Sequence, residues 1–433
     1  MKRIPPSQKS KEELRDLLQG KEGTESFEEL RGRLVRLATE HIVEAALEAE
    51  VGERLGRDYY RHRQDPEQPA AHRNGYRYGR LKTGEGEIRF AVPQVAGLKG
   101  YASKLKESLS GRTDELERLG MELYARGLST RDIERTFVDD DGKALLSRSA
   151  VSLVSEQLWQ EYQDFTRRDL SDLDIAYLFI DGVAERLHTA GRREAVLCAW
   201  GILFGGNKVL VHVAPGSKET TTQVVDFIEG MKARGLRDPI LVATDGAPGL
   251  MRGVEQGFPS SLRQRCLAHR MRNLMEKLPE EARADFKEAA QAAYQAPSPE
   301  DARILREAVV RRFAKKYPSA VTCFEDDFEA CIAHLRCPVH HRRLVRTTNT
   351  LERLFLEERR RLRPAQGITG EHAVLKLMFA ALVRGSERWR QNRITEFERA
   401  QLHQLRDQLL LEHNERHKPL HHQPLTPSNS QQL

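Results

Sequence analysis

Apolar positions along this chain change their spacing several times, and each change marks a boundary between predicted elements. In residues 1–60, Leu30, Leu34, Leu37, Ile42, Val43, Ala46 and Leu47 recur at roughly helical spacing, which predicts helix. Residues 61–100 lose that period. Pro, Gly and Arg accumulate there, and only Glu87–Val92 alternates as a short strand would. Helical spacing returns over 114–157. ELERLGMELYARG predicts a first helix that ends at Gly127, and Ser129 caps a second, STRDIERTF, with Asp132 three residues on. After the DDDGK turn, Ser147 or Ser149 opens a third, SAVSLVSEQLWQEYQDF. A helix-turn-helix-like DNA-binding unit fits, although any three packed helices give the same pattern.

Residues 174–270 are rich in β signals. Asp174–Ile180 is an apolar run ending in IDG, and Glu194–Phe204 and Lys208–Val213 follow, joined by Gly205–Gly206–Asn207. Lys218–Arg234 then sets Val224, Val225, Phe227, Ile228 and Met231 on one helical face, and Pro239–Thr244 is an apolar strand ending in TDG. This element order is that of a ribonuclease-H-like sheet, and strands this apolar require helices on both faces. Residues 279–340 are helical and polar, broken at Pro297–Pro299, and read as an insertion before the last helices. The expected fold is α/β: a ribonuclease-H-like mixed-sheet catalytic core with an all-helical insertion, preceded by a mainly helical DNA-binding region. Its expected parts are a helical and β-turn DNA-binding region (1–110), a helix-turn-helix-like region (111–170), the first part of the core (171–278), the insertion (279–340), the last core helices (341–411) and a disordered His-, Pro- and Gln-rich tail (412–433).

Composition narrows the function classes. At 433 residues the chain has room for two to four domains of about 150 residues. Its net charge of +6 and pI near 9.0 favour a polyanionic partner. The mixture His72, Arg73, Tyr76, Arg77, Tyr78 and Arg80 suits a phosphate backbone and stacked bases, and equally a solvated turn. Five cysteines form an odd set without disulfide-scaffold spacing, as in a reducing compartment. MKRIPPSQKSKEELRDLL has no signal-peptide core, and no stretch of 18 apolar residues occurs, so a cytoplasmic protein without a membrane partner is expected. Neither a G-x-S-x-G elbow nor a Walker phosphate loop is present.

Asp181 and Asp245 each follow an apolar run and each precede Gly. A carboxylate at a strand end sits on the rim of the sheet, where open α/β folds bind ligands, and the Gly leaves room for a sharp turn beside it. Two such carboxylates side by side repel each other unless a hard divalent cation lies between them. Taken singly, an Asp-Gly pair is an ordinary turn. A third carboxylate is expected from TTNTLERLFLEERRRLR (347–363), where Glu352, Glu357 and Glu358 compete. Glu352 lies near the positive end of that helix and shares a face with Asn349, Leu356 and Arg359, whereas Glu357 and Glu358 sit among arginines as surface ion pairs would. Residues 342–363 hold eight arginines against three glutamates, which suits a phosphate clamp. Cys266 and His269, with Cys331, His334, Cys337 and His340, recur at three-residue spacing. They offer a zinc set or simply one face of a helix. Trp200, Phe204 and Trp389 read as core aromatics.

Five segments resemble the Mutator-type transposases of bacterial insertion sequences: HRNGYRYGRLKTGEGEIRFAVP, GLSTRDIERTF, IDG, ATDGAPGL with FPSSLRQRCLAHRMRN, and RTTNTLERLFLEERRR. They run from 72 to 361 in family order. The chain departs from the family pattern at VPQVAG and DDDGKALL. The resemblance implies an Asp-Asp-Glu triad at Asp181, Asp245 and Glu352 holding two Mg2+ or Mn2+ ions, with Cys266, His269 and Asn349 near the site. Arg73, Arg77, Arg131, Arg265, Arg346, Arg353, Arg359 and Arg360 are expected to contact DNA. It also implies cleavage of element ends and transfer of their 3′-hydroxyls to target DNA, by a homodimer on paired terminal inverted repeats close to the bacterial nucleoid. An inactive DNA-binding regulator and a related nuclease are the alternatives.

Overall fold

The computed structural model describes residues 4–19, 27–59, 61, 63, 69–98, 102–109, 111–139, 141–185, 194–216, 220–349, 355–356, 359–360, 370–387 and 389–416. The chain divides into two compact units, Met1–Gln157 and Leu158–Leu433. The boundary falls inside the segment 111–170 that was expected to form one region.

In the first unit, α1 (Pro6–Leu18) precedes the long α2 (Phe27–Leu55). Every fourth residue of α2 from Val43 to Leu55 is buried, and this stripe meets Leu81, Ile88, Phe90 and Val92. Those four come from an antiparallel hairpin, β1 (His72–Thr83) and β2 (Gly86–Ala96). The pairing replaces the single short strand expected at Glu87–Val92. β1 escapes sequence reading because it is polar throughout, with Leu81 alone fully buried, so it shows no alternation. The buried Glu44 of α2 accepts hydrogen bonds from the Ala91 amide (2.8 Å) and the Ser10 hydroxyl (2.9 Å). Burial, the largest influence, holds its carboxyl above the ordinary value. A short helix α3 (Lys104–Ser108) and strand β3 (Gly111–Arg112) lead to α4 (Asp114–Ala125), α5 (Thr130–Thr136) and α6 (Arg148–Arg167), whose residues from Leu158 on belong to the second unit. Ser129 caps α5 as expected: its Oγ accepts from the Asp132 amide at 3.1 Å and donates to the Asp132 carboxylate at 2.6 Å.

The second unit is built on a five-stranded mixed sheet. Its strands are β4 (Ile175–Glu185), β5 (Glu194–Leu203), β6 (Lys208–Gly216), β7 (Leu241–Thr244) and β8 (Leu262–Arg265), in the order β6-β5-β4-β7-β8. β4, β5 and β6 pair antiparallel, while β4–β7 and β7–β8 are parallel. Alternate residues of β4 enter two cores. Leu178 and Ile180 join Val224, Phe227, Ile228 and Met231 of α7 (Thr221–Lys232) and Leu250 and Val254 of α8 (Pro248–Gly257). On the opposite face Tyr177 and Phe179 pack with Trp200, whose ring stacks on Phe179 at 4.2 Å and meets Trp389 at 5.2 Å. Fully burying one such side chain contributes about 1.5–3 kcal/mol.

Six helices follow β8: α9 (Leu267–Glu276), α10 (Glu280–Tyr294), α11 (Pro299–Phe313), α12 (Pro318–Glu325), α13 (Phe328–Ile332) and α14 (Val339–Val345). They enclose a separate core around Phe286, Tyr294, Phe313 and Phe324. α15 (Glu371–Ser386) and α16 (Glu396–Arg416) return to the sheet, where Met378, Phe379, Leu402 and Leu405 join the Phe179–Trp200 core. α16 continues to Arg416, four residues past where the tail was expected to begin, and 417–433 lie outside the described residues. No helix among the described residues is long and apolar enough to cross a membrane.

Of the three buried histidines of this unit, His212, His334 and His341, the first two carry the largest downward shifts. His212 on β6 stacks on Phe227, and burial, aided by Arg234 and Arg168, brings its pKa down to about 3. His334 donates its amide to Gln264 Oε1 at 2.8 Å, and burial, aided by Arg346 and Arg342, brings its pKa to about 4. Both folded values lie below the ordinary 6.5, so between them the unfolded chain binds more protons. Stability is therefore full above pH 6.5 and falls as pH drops toward 4, by on the order of 3 kcal/mol for His334. Urea unfolding of the second unit across this window should show the loss, and His334→Gln should flatten it. A profile unchanged by the substitution would contradict the burial argument.

Candidate active site

β4 and β7 run parallel, with Tyr177 beside Leu241, Leu178 beside Val242 and Phe179 beside Ala243. Continued by two residues, this register sets Asp181 beside Asp245. Asp181, two residues on from Phe179 within β4, belongs to the side of Phe179 and Trp200, and Asp245 stands in the turn just past β7. Asp181 was expected just past the end of its strand. It lies instead inside β4, paired with Cys198 of β5, because β5 keeps pairing as far as Glu185 where β7 has already ended at Thr244. Asp181 is 7% exposed and Asp245 half-buried. The Gly182 amide donates to Asp181 Oδ1 and the Ala247 amide to Asp245 Oδ1, both at 2.9 Å. Ala247 caps α8, so Asp245 stands at the positive end of that helix.

Gly246 has φ +95°, a left-handed conformation. A Cβ there would fall 2.4 Å from Arg265 Nε, so the turn that follows Asp245 rests on the Arg265 guanidinium. Arg265, expected to face DNA, is buried and points into the protein. It pairs with Asp326 at 3.2 Å and Asp327 at 3.8 Å, between α12 and α13. Arg270, 1% exposed, reaches Asp326 at 3.1 Å, and Arg263 pairs with Asp327. Gln264 completes the seam by donating to the carbonyls of Arg265 (2.7 Å) and Cys331 (3.2 Å). Buried arginines are held because each is matched by a carboxylate. Nothing in the sequence distinguishes Asp326 and Asp327 among 64 acidic residues, so the seam was missed.

The segment leading to the third expected carboxylate is fastened at the end of β8. The Cys266 amide donates to the Thr244 carbonyl at 2.7 Å, and the Leu267 amide donates to the Arg346 carbonyl at 2.9 Å. The Thr348 amide donates to Cys266 Sγ at 3.3 Å. Burial pushes the Cys266 thiol up, but hydrogen bonds with His269 and Thr348 outweigh it and leave the pKa below the ordinary value. Thr348, fully buried, is a positioning residue the sequence did not flag. Asn349 is exposed. Phe355, a little further on, is buried in the Phe179–Trp200 core.

Of the expected site residues, Asp181, Asp245, Cys266 and the Arg346–Thr348 segment gather around the ends of β4, β7 and β8. Glu352 and Arg353, with the competing Glu357 and Glu358, lie outside the described residues. Arg359 and Arg360 are exposed and Arg346 half-exposed. Arg73, Arg77 and Arg131 belong to the first unit. Arg77 and Arg131 are exposed, while Arg73 donates to the carbonyls of Asp58 and Arg57, both at 3.2 Å. Cys331, His334 and Cys337 are buried with separate neighbours, Arg270, Gln264 and Tyr177 respectively. Among the described residues no three His, Cys, Asp or Glu side chains form a metal cage. The donors present at the β4–β7 end are carboxylate oxygens, which fit a hard divalent cation and require at least one further ligand.

A family model described as Transposase, Mutator family, matches residues 9–392. The chain is 30% identical over 269 residues to the transposase for insertion sequence element IS6120 of Mycolicibacterium smegmatis, covering 62% of this chain and 83% of that one. It is 29% identical over 351 residues to the transposase for ISRM5 of Rhizobium meliloti, covering 80% and 86%. It is 26% identical over 321 residues to the transposase for IS256 in transposon Tn4001 of Staphylococcus aureus, covering 73% and 82%.

The Cys266–Thr348 bond is open to direct measurement. Cys266→Ala removes the acceptor and should cost roughly 1 kcal/mol locally, which speeds hydrogen exchange at the Thr348 amide about fivefold. Unchanged exchange at Thr348 would mean that the sulfur does not fasten the segment.

Proposed function

Because this chain belongs to the Mutator family of transposases, we propose that it acts on double-stranded DNA, cutting the ends of its own element and joining their 3′-hydroxyls to target DNA. The observation that supports the reading is the β4–β7 register, which, continued two residues past Phe179 and Ala243, aligns Asp181 with Asp245. The strand order β6-β5-β4-β7-β8, with its antiparallel and parallel halves, supports a ribonuclease-H-like core interrupted by α9–α14.

In this reading Asp181, Asp245 and Glu352 hold two Mg2+ or Mn2+ ions. Bound there, the ions would activate the attacking water or 3′-hydroxyl and neutralise the leaving oxygen. The residues of the chain supply position. The Gly182 and Ala247 amides fix the two aspartates, and Arg265 keeps the Asp245–Gly246 turn in place from below. The Cys266–Thr348 anchor sets where the segment leading to Glu352 begins. Arg346, Arg353, Arg359 and Arg360 contact phosphate, and Arg77 and Arg131 serve end recognition from the first unit. Cutting two ends together calls for a homodimer on paired inverted repeats.

The test is metal-dependent cleavage of DNA carrying the element ends. Asp181→Asn, Asp245→Asn and Glu352→Gln should each lower cleavage by roughly three orders of magnitude or more while DNA binding persists. If Glu352→Gln stays active and Glu357→Gln or Glu358→Gln fails, the third ligand is reassigned. If the intact protein binds ends and never cuts with Mg2+ or Mn2+, it is a DNA-binding regulator and the enzymatic proposal falls.

A further inference from the structure

Starting at Leu267, just past the end of β8, the second unit has a groove of about 560 Å3, bounded by α9, α10 and Arg346–Thr347. Leu267, Met271, Met275 and Tyr294 give it an apolar floor. Arg272, Lys287 and Arg346 stand on its rim, and Glu276 is the one acid lining it. No ion pair engages those three cations among the described residues. Arg283, also in the lining, is already used, donating to the Met275 and Leu278 carbonyls at 3.0 and 3.2 Å. Gln291 near the end of α10 and Gln295, which caps that helix, complete the wall.

We infer that this groove receives a single nucleotide unstacked from the bound DNA, its base on the apolar floor and its phosphate between Arg272, Lys287 and Arg346. The inference rests on the transposase reading above and adds a site to it. Each feature matches one part of a nucleotide. Flexible, polarisable Met side chains accept a flat ring, and base stacking on protein side chains tolerates any base. The two glutamine amides each donate and accept, as the polar edge of a base requires. Three unpaired cations against one carboxylate complement a phosphate. Burial and the nearby Arg343 hold the Arg346 guanidinium below its ordinary pKa, a cost that an anion would relieve. The volume lies within the range of small-ligand sites. Position agrees as well. Leu267 follows Cys266 at the end of β8, and β8 pairs with β7, the strand that leads to Asp245. The Leu267 end of the groove is thus one strand away from the strand that leads to Asp245.

The experiment uses the full chain carrying Asp181→Asn, which keeps DNA uncut, and duplexes of an element end with 2-aminopurine at successive positions. Binding should raise the fluorescence of one position near the cleavage junction severalfold. Adding Met271→Ala should abolish that rise while the duplex remains bound. Arg272→Ala with Lys287→Ala, both at exposed positions where folding is unaffected, should weaken the rise and lessen the salt dependence of binding. If the protein without Asp181→Asn binds and cuts the duplex, but no position brightens or the rise survives these substitutions, the groove is not a nucleotide site and the transposase reading stands. If the duplex is neither bound nor cut, the transposase reading falls and takes this inference with it.

Discussion

The parallel pairing of β4 with β7 is the constraint on which the rest of the second unit depends. β4 is buried on both faces and hydrogen-bonded on both edges, so its register cannot slip without turning one apolar set out of its core. Continued by two residues, that register aligns Asp181 with Asp245. The cores around Phe179–Trp200 and around Leu178–Ile180 hold it in place.

Around this strand, the helical insertion is attached to the site and is not merely appended to it. Arg265 supports the turn after Asp245 and is itself held by Asp326 and Asp327 from the insertion. Cys266, one residue on, receives the Thr348 amide from the chain returning out of the insertion. The end of β8 therefore connects one proposed metal ligand to the path toward another. Movement of the insertion would be felt at the Asp245 turn through this ion-pair seam, where loss of an acidic partner leaves a buried arginine uncompensated.

Legibility in the sequence followed the strength of the periodic signal. The apolar runs of β4, β5, β6 and β7 and the amphipathic face of α7 stood out because each is buried against a partner that imposes its own period. The Ser129 cap was legible because it is local chemistry within four residues. β1 was not legible, since its apolar face is supplied by its partner β2 and by α2. The inward turn of Arg265 was not legible either. An arginine reads the same whether it meets a phosphate or a carboxylate, and Asp326 is 61 residues away along the chain.

By itself the sequence determined the element types, the two Asp-Gly positions and, through five segments between 72 and 361, the family resemblance, because hydrophobic period, local turn chemistry and motif residues are written in neighbouring positions. Only the tertiary structure decided that Asp181 lies within its strand beside Cys198, that Cys266 fastens Thr348, and that Arg265 is a buried support. Those outcomes depend on strand register and on contacts between residues distant in the chain, where burial and charge pairing choose among partners that no local pattern can tell apart.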